Sequence, residues 1–138
     1  MYTNNRDAYR QFFFTAWQKH KNQLPLDATE IRLITIIQKH PEYHSLLEKE
    51  STTHQEFNLE ENPFFHLSLH YALREQIDTK RPAGIEQIQQ QLNQYYADHH
   101  YVEHLMMECL CKMMAYAQET GAVMSDEKYL ESLRMLIK

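Results

Sequence analysis

Apolar residues in this chain recur at three- and four-residue intervals, the period of a helix, instead of alternating as in a strand, and start and stop signals cut the pattern into segments. Tyr9, Phe12, Phe13, Phe14 and Trp17 mark a first helix over about 5–21, whose aromatic belt predicts core or a partner-facing surface. Asp27 and Glu30 have the Asp-x-x-Glu spacing of a capping box. They precede Ile31, Leu33, Ile34, Ile36 and Ile37, a heavily apolar helix expected to be buried and stopped by Pro41. Pro41 suits the first turn of a short helix through Leu47, and polar 49–61 reads as an exposed connection. Asn62-Pro63 supplies a cap and a proline at the first helical position, starting a helix that reaches about Asp78.

Beyond the turn at Arg81-Pro82-Ala83-Gly84, Ile85, Ile88, Leu92 and Tyr95 or Tyr96 give a one-faced helix with its glutamines outward. A break near 97–99 follows. Val102, Leu105, Met106, Met107, Leu110, Met113, Met114 and Ala117 then make a helix to Thr120 that is apolar on most of its circumference, which predicts a central place in a bundle. Gly121 suits its C-terminal cap, and Ser125 opens a last helix with Tyr129, Leu130, Leu133 and Leu136 or Ile137 inward. The expected fold class is all-α: one helical domain over 1–138, a bundle of about five to six helices.

Composition strengthens this reading. Two glycines and two valines leave a many-stranded sheet short of turn and strand residues, and 138 residues match one domain of the usual ~100 to 150. With 14 basic and 19 acidic residues the net charge is −5, and no basic run exceeds a pair, so nucleic acid is not an expected partner. Met1 to Asp7 lack an apolar signal core, and no apolar stretch approaches the ~20 residues that span a bilayer; the expectation is a cytoplasmic protein with no membrane partner. Cys109 and Cys111 point to nearly opposite sides of one helix, and without Cys-x-x-Cys units they read as reduced core thiols.

The histidines carry the candidate chemistry. Nine scattered at random would give roughly 0.6 pairs at spacing four. Three pairs are present: His40 with His44, His66 with His70, and His100 with His104, the last continued by Glu108. Spacing four stacks two imidazoles on one helix face, where both can reach one metal ion. His66 and His70 fall between Leu69, Leu73 and Ile77 on the core-facing stripe and are the leading ligand pair. As buried imidazoles they need partners in any case, and a carboxylate or backbone carbonyl would also serve. His104 and Glu108 lie with His100 and Lys112 on the least apolar side of their helix, where Glu108 has Lys112 as an alternative partner. Around Pro41, His44 is the candidate ligand, and His40 occupies the cap position. His20, His54 and His99, in polar surroundings, read as solvated. The expected ion is iron or zinc, with no organic cofactor indicated.

Absent motifs narrow the chemistry. No His-Glu-x-x-His supports a zincin peptidase, and no Glu-x-x-His supports a ferritin-like di-iron site. His-x-x-x-His on one helix with His-x-x-x-Glu on another resembles haemerythrin, which implies a di-iron oxygen site. One histidine plus His-x-x-x-His on a second helix resembles the DinB-like small bundles, which implies a single divalent ion. No general base, nucleophile elbow or phosphate loop stands out, and Ser68 reads as a packing hydroxyl, so no reaction is assigned.

Phe12-Phe13-Phe14 with Trp17, His40-Pro41-Glu42-Tyr43-His44, Asn62-Pro63-Phe64-Phe65-His66-Leu67-Ser68-Leu69-His70 through Arg74-Glu75-Gln76, Arg81-Pro82-Ala83-Gly84, and His104 with Met107-Glu108-Cys109-Leu110 together resemble one bacterial family, domain of unknown function 1841. The resemblance covers nearly the whole chain and implies no activity or cofactor. The competing reading is a metal-free interaction module, or a homodimer, docking through its aromatic first helix and apolar last helix; exposed Phe13 or Trp17 would favour it. A third is a pH-responsive domain whose buried neutral imidazoles gain charge between about pH 7 and 5.

Overall fold

The computed structural model describes residues 2–49, 57–58 and 62–137, with side chains from residue 8 onward. Among them are seven α-helices, one short 3-10 turn and no strand. They are α1 (Tyr2–Lys21), α2 (Ala28–Gln38), the 3-10 turn (Pro41–Tyr43), α3 (His44–Leu47), α4 (Pro63–Thr79), α5 (Ile85–Tyr96), α6 (His99–Thr120) and α7 (Asp126–Arg134). The protein is all-α, with more helices than the five to six expected. The short helix expected from Pro41 through Leu47 is present as a tight turn that runs into a one-turn helix, because Pro41 cannot continue α2. Most of the 49–61 connection, and His54 within it, lies outside the described residues. None of the described helices is long and apolar enough to cross a membrane.

The chain forms two compact units, Met1–Tyr71 and Ala72–Lys138. In the first, α2 begins with the expected capping box: the Asp27 side chain accepts from Glu30 N–H at 2.8 Å and the Glu30 side chain accepts from Asp27 N–H at 3.0 Å. Lys19 adds an ion pair to Glu30 at 2.9 Å. The two cap bonds satisfy N–H groups that a helix start leaves without partners. The core joins Phe13, Phe14 and Trp17 of α1 to Leu33, Ile34, Ile36 and Ile37 of α2, Leu47 of α3, and Phe64 and Leu67 of α4. Ile31, expected inside, is 53% exposed, because only one face of α2 is covered and positions 31 and 35 lie on the other. At the start of α4, Asn62 Oδ1 accepts from the N–H groups of Phe64 (3.0 Å) and Phe65 (3.2 Å), which fixes where this helix begins.

In the second unit, α5, α6 and α7 pack on one another. Ile85, Ile88 and Leu92 are buried, as are Val102, Met106, Met107 and Leu110, and Tyr129, Leu130 and Leu133. Arg74 bridges Glu103 (3.2 Å) and Asp78 (2.7 Å), and Tyr129 donates to Gln76 at 2.7 Å. The expectation of a wholly central α6 is corrected here: its burial ends at Leu110, and Met114 is 48% exposed. Helix lengths explain this. Twenty-two residues of α6 span ~33 Å, against ~18 Å for the twelve of α5 and ~14 Å for the nine of α7. Cys109 and Cys111 are both free thiols; Cys109 is buried, and burial pushes its thiol above the ordinary value.

Candidate metal centre

The site of interest is built where α2 ends. The residue before Pro41 is kept out of the helical conformation, and His40 takes φ −126° and ψ 66°, which turns the chain away. Although His40 precedes the 3-10 turn as expected of a cap, its ring makes no capping bond there. Instead it folds back on α2, with Nδ1 2.8 Å from the Ile36 carbonyl oxygen. A carbonyl accepts and cannot donate, so Nδ1 carries the proton and Nε2 of the neutral ring presents its lone pair.

That lone pair faces α4. His40 Nε2 lies 3.0 Å from His66 Nε2. The Asn62 cap and Pro63 set the register of α4, and four residues after His66 the same face presents His70. The rings stand nearly perpendicular to one another: His40 to His66 with centroids 4.8 Å apart at 74°, His40 to His70 at 5.2 Å and 89°, His66 to His70 at 6.2 Å and 78°. One ligand nitrogen from each lies within 4.8 Å of the other two. His40 and His70 are fully buried at 0% exposure, and His66 is half-buried. Tyr43 lies parallel to the His40 ring at 5.6 Å and edge-on to His66 at 6.0 Å, forming part of the wall; burial raises its phenol above the ordinary value.

These distances suit a shared ion. Two imidazole nitrogens each ~2.05 Å from one metal are about 3.3 Å apart in a tetrahedral site and about 2.9 Å apart as neighbours in an octahedral one. The 3.0 Å between His40 and His66 falls between those values. A ligating histidine typically gives its second N–H to a carbonyl or carboxylate, as His40 does to Ile36. An all-imidazole set suits zinc, iron, copper or nickel; magnesium and calcium call for oxygen donors.

Of the residues singled out in the sequence, His66 and His70 are brought together, and the stripe of Leu69, Leu73 and Ile77 is buried as its periodicity implies. His44 is placed elsewhere: its Nε2 lies 2.9 Å from the Ile37 carbonyl oxygen, and its ring packs on Trp17 with centroids 4.6 Å apart. In the second unit, His104 is half-buried on α6 with its ring 4.2 Å from that of His100, and Glu108 is exposed on the same helix. His99 is exposed. His20, expected in solvent, is half-buried, with its ring 5.4 Å from Trp17 and Nε2 3.3 Å from Gln38 Nε2. Ser68 donates to the Phe64 carbonyl at 2.6 Å and receives the Tyr9 hydroxyl, a packing role.

His40 is the residue that helical spacing undervalues. Its pairing with His44 at spacing four has no geometric meaning, because Pro41 breaks the helix between them. The signal available was the break itself, which frees a side chain at a helix end to turn back.

No curated protein and no solved structure matches the chain. A family model does match, over residues 5–135 of 138, and the chain belongs to that family, described as Domain of unknown function (DUF1841).

Proposed function

We propose that this protein binds one divalent transition-metal ion, iron or zinc, through His40, His66 and His70. The observation that carries the reading is the 3.0 Å approach of His40 Nε2 to His66 Nε2, with the other His40 nitrogen already given to the Ile36 carbonyl. Burial adds support. His40 and His70 are at 0% exposure, and a metal ion shared by such imidazoles would offer each of them a strong bond out of reach of solvent.

The test is elemental analysis and metal titration of protein purified without an affinity tag or chelator, beside the double variant His66→Ala with His70→Ala. One equivalent of iron or zinc, lost in the variant, is the expected result. At free metal a hundredfold above Kd, unfolding free energy should rise by about 2.7 kcal/mol in the native protein alone. Failure of both forms to take up metal would sink the reading. The sequence-based expectation that His104 and Glu108 add donors is decided in the same titration by His104→Ala and Glu108→Ala.

The metal-free docking module competes less well, since Phe13 at 2% exposure and Trp17 at 6% are buried, which leaves Tyr9 as the exposed aromatic among the described side chains of α1.

A further inference from the structure

We propose that a cleft between α1, α2 and α4 in the first unit is a binding site for a small neutral aromatic molecule of the phenol class. The proposal goes beyond the metal reading and stands apart from it, since none of the clustered histidines lines the cleft.

The cleft has a volume of about 120 Å³ and is lined by Tyr9, Phe12 and Phe13 of α1, Thr29 and Leu33 of α2, and Tyr71 of α4, all within the first unit. The sequence of α2 makes the gap. Thr29 and Leu33, four apart, share one face of the helix, yet Leu33 is at 0% exposure and Thr29 is exposed. A short side chain in the first turn of α2 leaves unfilled the space that a longer apolar one would occupy. The slot therefore runs from buried Phe13 and Leu33 on its inner side to exposed Tyr9 and Thr29 at its mouth.

Size and lining select the occupant. An apolar cavity of ~150 Å³ takes up benzene, so a space of this order holds one six-membered ring. Four of the six lining side chains are aromatic. Tyr9 and Phe12 already stand edge-on to Phe13, with centroids 5.3 Å and 6.0 Å apart, and a further ring extends the same packing. Hydroxyls then narrow the class. Tyr9 gives its proton to Ser68. The Tyr71 hydroxyl accepts from Arg32 at 3.5 Å and has no acceptor for its own proton among the described residues, and the Thr29 hydroxyl bonds to none of them. A phenol oxygen can accept from one hydroxyl and donate to the other. Arg32 lies over the Tyr71 ring at 5.5 Å but is not among the lining residues, so no charged side chain lines the cleft and a neutral ring is the better fit.

The experiment titrates the whole chain with phenol, followed by calorimetry and by the methyl resonances of Leu33. The expected result is saturation at one phenol per chain, with a Leu33 shift of the same midpoint. Both should vanish in Thr29→Trp, which fills the mouth from an exposed position. Tyr71→Phe keeps the ring, and should weaken phenol by roughly two- to tenfold, the range of one neutral hydrogen bond, while leaving benzene binding unchanged. Failure of phenol to saturate, or undiminished binding by folded Thr29→Trp, overturns the site. Benzoate or cyclohexanol binding as tightly as phenol overturns the ligand class.

Discussion

The C-terminal ends of α2 and α6 solve one problem with different residues. The last carbonyls of any helix lack intrahelical partners. At α6 the solution is backbone and hydroxyl: Gly121 at φ 71° gives its N–H to Ala117, and Thr120 donates to the Tyr116 carbonyl at 2.7 Å. At α2 the backbone N–H groups of Lys39 and His40 already reach Ile36 and Ile37, and two imidazoles are added to the same carbonyls, His40 on Ile36 at 2.8 Å and His44 on Ile37 at 2.9 Å. Capping alone does not call for two histidines. A cap made with an imidazole also leaves the opposite nitrogen aimed in a fixed direction. For His40 that direction is His66 Nε2. The contrast separates a residue that ends a helix from one that uses the end of a helix to orient a donor.

The comparison breaks first, and by the largest margin, on His40 against His44. Replacing His40 with Ala removes a fully buried ring, at a cost of about 3 kcal/mol in the metal-free protein. It should also weaken metal binding by more than the roughly 100-fold that loss of an outer-shell partner can bring. His44→Ala gives up one hydrogen bond and a ring contact to Trp17, about 1 kcal/mol, with metal affinity unchanged within threefold. Chemical denaturation with chelator, followed by metal titration, reads both quantities. Equal losses of affinity would make His44 a ligand after all and erase the distinction.

Next comes Gly121→Ala at the other helix end. An added Cβ would meet nothing within 4 Å, so the cost is the left-handed backbone itself, about 1 kcal/mol, with no change in metal binding. Gly121→Asn should recover part of it, because Asn tolerates that conformation. If Ala proves neutral, the glycine is dispensable as a cap and α6 must be held by its packing.

Helix starts were legible because they are local: Asp27 with Glu30, Asn62 with Pro63, and Ser125 each satisfy N–H groups two or three residues on, as the sequence implies, and Asp98, within the break expected near 97–99, does the same for α6. His66 and His70 were legible for the same reason, spacing four on one helix. What sequence could not supply was the third imidazole, since meeting His40 requires knowing how the chain turns at Pro41 and which face of α4 it then meets. Nor could periodicity report that α6 outruns its neighbours. A helix apolar all round is read as buried, but burial depends on the lengths of α5 and α7.

The smallest effect tests the opposite end of α2, where carboxylates do what imidazoles do at its C-terminus. The Asp27 N–H and then the Lys19 ammonium hold the Glu30 carboxyl below its ordinary value. A depressed folded-state pKa stabilises fully above the unfolded value of about 4.3 and ceases to do so as pH falls through the lower folded one. Glu30→Gln retains an oxygen for the Asp27 N–H but carries no charge and does not titrate. Native protein should therefore be slightly the more stable at neutral pH, and the difference should close below about pH 4 as Glu30 takes up its proton. Urea titrations at stepped pH, with chelator present so that metal and protons do not compete at the histidines, follow this closure. A gap that persists into the acid range would assign the Glu30 contribution to packing of a side chain that is only 6% exposed, and the charged N-terminal half of the comparison would be lost.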